Sequence, residues 1–163
     1  MLTKKMHAVL NAQVNKELES EYIYLQMAMW AGAQNLPGLE LWMKHQALEE
    51  RAHAMKIYQF IMDNDGEVTL TGIAAPNLKL KSPIDVFRKA LAHEQYISKS
   101  IHECYTVALA EKSYPAQVML HWFISEQVEE EANASAILKK FEDLKDSPAS
   151  IYFLDKELKK RGA

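Results

Sequence analysis

Residues 66–81 interrupt a sequence that otherwise reads as helix from end to end. The segment is rich in turn formers, with Gly66, Thr69, Thr71, Gly72, Pro76 and Asn77. A structureless stretch of that length inside a compact domain usually has a geometric task. Cap and breaker residues place helices over about 3–34, 38–64, 83–111 and 115–145, with a short fifth over about 148–160. Pro37-Gly38 interrupts the first long helical pattern after Ala33. Ser82-Pro83-Ile84-Asp85 supplies an N-cap, a proline at the first helical position and an acidic capping partner. Pro115, after a turn at residues 112–114, and Pro148 open the later helices. At ~1.5 Å per residue the second helix is about 40 Å long. An extended segment rising ~3.3 Å per residue reaches about 50 Å, enough to return along that whole helix. The other two connections between long helices are short, so they join antiparallel neighbours. The expected fold is therefore all-α: a four-helix bundle with one long crossover between the second and third helices, then a short C-terminal helix.

Bulk properties agree. The 163 residues suit one domain spanning 1–163. Five glycines and five prolines are too few for the turns of an all-β sandwich. A net charge of −3 lacks the basic footprint of a nucleic-acid binder. The single Cys104 excludes an internal disulfide framework or a CxxC unit and fits a reducing cytosol. The first ten residues lack the apolar core of a signal peptide, and no apolar run approaches the ~20 residues that span a bilayer. A cytoplasmic protein without nucleic-acid or membrane partners is expected.

Projection at 100° per residue exposes charges where apolar residues belong. The inward stripe of the first helix runs Leu10, Val14, Glu17, Glu21, Tyr24, Ala28. That of the second runs Met43, Gln46, Glu50, His53, Ile57, Phe60, Ile61. The third gives Phe87, Leu91, Glu94, Ser98, Ile101, Tyr105, Ala108, and the fourth Leu120, Phe123, Gln127, Glu130, Ala134, Leu138, Phe141. Taken singly, a glutamate in such a stripe usually sits at its edge with its head in water. Tyr24 alone reads as a core tyrosine with a hydrogen-bonded hydroxyl. Jointly, Glu17, Glu50, Glu94 and Glu130 would bring four carboxylates into one dry volume. Burying even one unpaired carboxylate costs several kcal/mol, and like charges nearby add to it. No Lys or Arg occupies these stripes, so metal cations are the expected compensation. With one imidazole, no thiolate and otherwise oxygen donors, the set suits manganese, iron or magnesium rather than zinc or copper. Glu50-x-x-His53 matches the Glu-x-x-His device of dinuclear carboxylate bundles, whereas the fourth helix carries Gln127-x-x-Glu130 instead.

The spacing Glu17-(x6)-Tyr24, the run Glu49-Glu50-x-x-His53, Glu94, the run Ser125-Glu126-Gln127-x-Glu129-Glu130-Glu131 and the ending Ile151-Tyr152-Phe153-Leu154-Asp155-Lys156-Glu157-Leu158 together resemble the ferritin family, specifically its non-haem prokaryotic branch, over essentially the whole chain. The resemblance implies a ferritin-like bundle that oxidises Fe(II) to Fe(III), with O2 or H2O2 as acceptor, and stores the product in a hollow shell of 24 subunits. Iron is then both substrate and occupant of a di-iron centre. By the same resemblance Glu17, Glu50 and His53 hold the first iron. Glu50 bridges to the second, which Glu94 and Glu130 complete with Gln127 beside it, and Tyr24 stands just behind. Glu49, Glu126, Glu129 and Glu130 resemble a third iron site; the first three read equally well as a solvated acidic face. With Gln127-x-x-Glu130 in place of a second Glu-x-x-His, the fourth helix offers oxygen ligands where the device has a His, and the lost nitrogen donor is expected to make bound iron exchange readily.

Rival families fit less well. The haem of bacterioferritin is held by a Met where this chain has Arg51, so no haem is expected. Rubrerythrin-type proteins carry a cysteine-ligated iron domain, and small Dps-type cages lack the fifth helix. A di-iron oxidase of organic substrates and a purely structural bundle are the remaining alternatives. Trp122 reads as a packed core residue with an electron-donor role as the alternative. His45, His93, His102 and His121 read as ordinary surface or partly buried histidines. Glu21 has no role beyond iron entry or local pairing. A second apolar face on the second helix, Leu41, Leu48, Ala52, Met55 and Met62, needs burial within the bundle or against another subunit.

Overall fold

The computed structural model describes residues 1–145 and 147–161. It contains α1 (Lys4–Ala33), α2 (Pro37–Asp63), α3 (Pro83–Ala110), α4 (Tyr114–Leu144) and α5 (Pro148–Leu158), and no strand among the described residues. The helices begin where local chemistry says they should. Thr3 Oγ1 accepts from Met6 N at 3.1 Å, Ser82 Oγ from Asp85 N at 3.4 Å and Ser147 Oγ from Ser150 N at 3.2 Å. Tight turns at Asn35 and Lys112, both at positive φ, join α1 to α2 and α3 to α4. Each pair packs as an antiparallel hairpin, and α1 also lies against α3. No helix among the described residues is long and apolar enough to cross a membrane.

The crossover between α2 and α3 is held down by side chains of α1. Asn11 donates to Thr69 O at 3.1 Å and accepts from Thr69 N at 2.8 Å. One turn on, Asn15 donates to Thr69 O at 3.0 Å and accepts from Thr71 N at 2.7 Å. His7 Nε2 meets Glu67 O at 2.7 Å. With i, i+4 spacing, these amides stand in for the neighbouring strand that an extended backbone would otherwise need.

The start of α2 has a different cap. Its N-cap residue is Leu36, which has no side chain to offer. Asp155 of α5 accepts from Leu39 N at 2.8 Å instead. The close approach requires Gly38, since a Cβ there would lie 1.7 Å from the Asp155 carbonyl oxygen. Leu154 and Leu158 are buried beside this contact, while Tyr152 and Phe153 stay exposed.

The core is not one apolar mass. One cluster joins Tyr24, Met27, Leu39, Trp42, Phe87 and Phe141; a second joins Met6, Leu10, Ile57, Ile61, Ile101 and Phe123. Burying side chains of this size stabilises the fold by about 1.5–3 kcal/mol each. Between the two clusters, at mid-helix, lies a buried polar layer. It contains Gln13, Glu17, Gln46, Glu50, His53, Glu94, Gln127 and Glu130. The second apolar face of α2 is not buried within the bundle: Leu41, Leu48, Met55 and Met62 are all exposed.

Candidate metal centre

Every one of the four long helices delivers a glutamate into the polar layer, because each carboxylate occupies a stripe position of an amphipathic helix. Glu17 is 0% exposed, Glu50 and Glu94 1% and Glu130 6%. Glu17, Glu50 and His53 place ligand atoms within 4.8 Å of one another, and so do His53, Glu126 and Glu130. His53 thus stands between two groups. Its Nδ1 lies 3.5 Å from Glu50 Oε2, too far for a hydrogen bond.

The remaining atoms of the layer are tied by amides and a phenol. Tyr24 donates from its hydroxyl to Glu94 Oε1. Gln127 Nε2 donates to Glu94 Oε2 at 3.1 Å and to the Glu94 carbonyl at 3.3 Å. Gln46 Nε2 donates to Glu130 Oε2 at 2.7 Å and Glu50 Oε1 at 3.2 Å. Gln13 Nε2 donates to Glu17 Oε1 at 2.8 Å. Two ligand-type atoms, Glu17 Oε2 and His53 Nδ1, are buried with no amide, hydroxyl or cationic partner, and the neighbour beside them is the Glu50 carboxyl. A buried acceptor without a partner is costly unless something positive fills the space beside it. Among the described residues no Lys or Arg forms an ion pair with Glu17, Glu50, Glu94 or Glu130. The donor set, oxygen-rich with one imidazole, fits a hard or borderline divalent cation.

Electrostatics carry the same signature. Burial first, and then the charge of Glu50, push Glu17 up to about 8. Burial and then Glu94 push Glu130 up to about 7. Glu50 is raised well above the usual carboxylate range by burial, then by Glu94 and Glu130, and Glu94 is raised chiefly by burial. Burial followed by the Glu94 charge raises Tyr24, which keeps its proton and remains a donor. A metal-free layer therefore holds protons near neutrality, and a divalent cation must displace them.

The outlying residues divide. Glu126 joins His53 and Glu130, whereas Glu129 is exposed and belongs to neither group. Glu49 is held by the Arg161 guanidinium, which also lies over the Trp42 ring at 4.1 Å. Glu21 pairs with Arg51 at 2.6 Å, so local pairing accounts for it. Trp122 corrects the expectation of a packed core residue. It is 38% exposed, edge-on to His53 at 5.5 Å, with Lys56 over its ring at 4.0 Å. His93 is half-buried, bonded to Ser20 at 2.7 Å and edge-on to Tyr24. Sequence reasoning assigned no role to Gln13 and Gln46. The available signal was a repeated Gln-x-x-x-Glu spacing, Gln13 to Glu17 and Gln46 to Glu50, which stacks an amide one turn from each carboxylate.

The family model for the ferritin-like domain matches residues 7–144, the span that holds this whole layer. The chain belongs to the ferritin family. Among ferritins, the bacterial non-heme ferritin of Campylobacter jejuni is 35% identical over 159 residues, covering 98% of this chain and 95% of that protein. The bacterial non-heme ferritin of Escherichia coli O157:H7 is 31% identical over 158 residues, covering 97% and 96%. In structure, an open-pore ferritin from the hyperthermophilic archaeon Archaeoglobus fulgidus gives a TM-score of 0.96 at 37% identity, covering 99% of each chain. A closed form of that ferritin, engineered by site-directed mutagenesis, gives 0.96 at 38% identity over 99% of this chain and 98% of that one.

Proposed function

We propose that this chain is an iron-storing ferroxidase: it oxidises Fe(II) to Fe(III) at the mid-bundle layer and keeps the ferric product inside a shell of 24 copies in the cytoplasm. The observation that carries this reading is the pair of buried, unpartnered ligand atoms, Glu17 Oε2 and His53 Nδ1, beside Glu50. Membership of a family whose similar members are non-heme ferritins supports iron as the cation.

In this reading the chain folds as one domain over 1–163, and its glutamates act in concert. Glu17, Glu50 and His53 bind one ferrous substrate ion. Glu50 reaches across to a second, which Glu94 and Glu130 complete. Each ferrous ion gives up one electron, and a pair of them satisfies dioxygen or peroxide as a two-electron acceptor. Loss of an electron makes the ion harder, so an oxygen-rich site favours the ferric state over the ferrous one. Tyr24 and Gln127 orient Glu94 through both of its oxygens, and Gln46 orients Glu50 and Glu130. The two apolar clusters above and below the layer keep bulk water away from it. Gln127 serves as a donor to Glu94, leaving the second position with oxygen donors, weaker ligands than a second imidazole. Iron then moves on to storage rather than staying as a fixed cofactor. Glu126 and Glu130, brought together beside His53, begin a third position that Glu49, once it leaves Arg161, and the exposed Glu129 would have to swing in to complete. The exposed apolar face of α2 and the exposed Tyr152 and Phe153 of α5 supply contacts between subunits.

Stopped-flow absorbance of ferric species tests the assignment of the site. Glu50→Ala removes the bridging carboxylate and is expected to slow the fast oxidation phase by at least about a hundredfold, the loss of ~3 kcal/mol. A variant as fast as the parent would place the chemistry elsewhere.

A further inference from the structure

Lys16 lies outside the inward stripe of α1, yet its ammonium reaches Ser100 of α3 at 2.5 Å. Ser100 is buried, and its hydroxyl lies 2.5 Å from Gln13 Oε1. Gln13, 1% exposed, donates through Nε2 to Glu17 Oε1 at 2.8 Å. A single hydrogen-bonded chain thus runs from a half-buried charge to a carboxylate of the metal layer.

The chemistry at its outer end fixes its direction. An ammonium has three donors and no acceptor. Ser100 must therefore receive from Lys16, and its one proton goes to Gln13. Gln13 must then show its carbonyl to Ser100 and its N–H to Glu17. Without Lys16 the hydroxyl is free to turn round, and the amide, whose two ends are nearly the same shape, is held only by the weak Cys104 Sγ donor 3.9 Å from Oε1 and by Glu17 itself. A flipped amide would set a carbonyl oxygen against the Glu17 carboxylate. Lys16 is itself steadied at the mouth of the chain by the Tyr96 ring, 5.5 Å from its nitrogen. Gln46 provides the contrast. It donates to Glu50 and Glu130 in the same way, but its Oε1 is buried without a partner, so no outer group fixes its direction.

We propose that Lys16, Ser100 and Gln13 are positioning residues: they set the direction of this chain, grip Glu17 by Oε1 and leave Oε2 bare and aimed for a divalent cation. The proposal rests on reading the layer as the iron-oxidation site. It makes Glu17 the ligand anchored from outside the layer, whereas Glu50 and Glu130 are held by the one Gln46 amide within it.

The test is a Co(II) titration of the metal-free, assembled full-length protein, followed by visible absorption. A hydrogen bond anchored on a charge is worth enough that its loss weakens the tightest Co(II) site about tenfold. Lys16→Met and Ser100→Ala should each do so, and the double variant no more than either, because they break one chain. In a Glu17→Gln background Lys16→Met should have no effect, which a merely structural role for Lys16 would not produce. Size-exclusion chromatography checks assembly; if Ser100→Ala does not assemble, the half-exposed Lys16→Met carries the comparison with its Glu17→Gln background. Unchanged affinity in Lys16→Met, multiplying effects, or an effect that persists without Glu17 would each overturn the relay. A parent protein that binds no Co(II) would bring down the reading of the site as well, whereas a parent that binds and variants that match it would bring down the relay alone.

Discussion

Replacing Glu17 by Gln should make the metal-free protein more stable, and increasingly so as pH rises. Glu17 is fully buried and pushed from 4.5 up to about 8, by burial and then by Glu50. Between those values the folded state holds a proton that the unfolded chain has released. Stability is therefore full below about 4.5 and is lost as pH rises toward about 8. At ~1.4 kcal/mol per pH unit, the loss is under about 1 kcal/mol at pH 5 and about 4 kcal/mol at pH 7.5. The amide is nearly isosteric, does not titrate, and keeps an oxygen for the Gln13 N–H. For a chain of this length about 4 kcal/mol corresponds to a rise of about 10 °C in unfolding temperature. Calorimetry of chelator-treated protein at one scan rate, from pH 5 to 7.5, measures the difference between variant and parent. Saturating Co(II) should reverse the order, since the parent gains more from the cation. A difference that does not change with pH, or that shrinks as pH rises, would refute the reasoning.

Three further outcomes follow from the same geometry. Gln127→His supplies a nitrogen donor beside the second position and should slow removal of bound iron by a chelator at least severalfold; equal removal rates would contradict the account of lability. Gly38→Ala places a methyl into the Asp155 carbonyl and should undock α5, removing the cap from α2 at a cost of about 1 kcal/mol or more. Its signature is a loss of assembled protein on size exclusion while helical circular dichroism is largely kept. Arg161→Ala frees Glu49, and should strengthen the weakest Tb(III) site in a luminescence titration without moving the tighter ones.

Much of the fold was legible because its signals are local. Thr3, Ser82 and Ser147 cap their own helices, and the observed ends fall within a residue or two of the expected ones. The crossover followed from its length alone, but what holds it did not. Asn11 and Asn15 look like ordinary polar surface residues until Thr69 and Thr71 lie beside them. The carboxylates were visible as charges in apolar stripes, and the structure buries Glu17, Glu50, Glu94 and Glu130 together. Groups one position off the stripe were harder to place. Trp122 sits between stripe residues 120 and 123 and faces outward over His53. Lys16 flanks Glu17 and turns in only because Ser100 of α3 meets it, a contact 84 residues away in sequence. Arg161 on Glu49 likewise depends on how α5 docks against α2.

Sedimentation velocity after aerobic addition of excess ferrous iron tests the central claim most directly, with absorbance following protein and ferric iron together. The account predicts one large species that sediments faster as iron is added, with the ferric signal inside its boundary. Iron that stops at a few ions per chain, or precipitates apart from the protein, would contradict it.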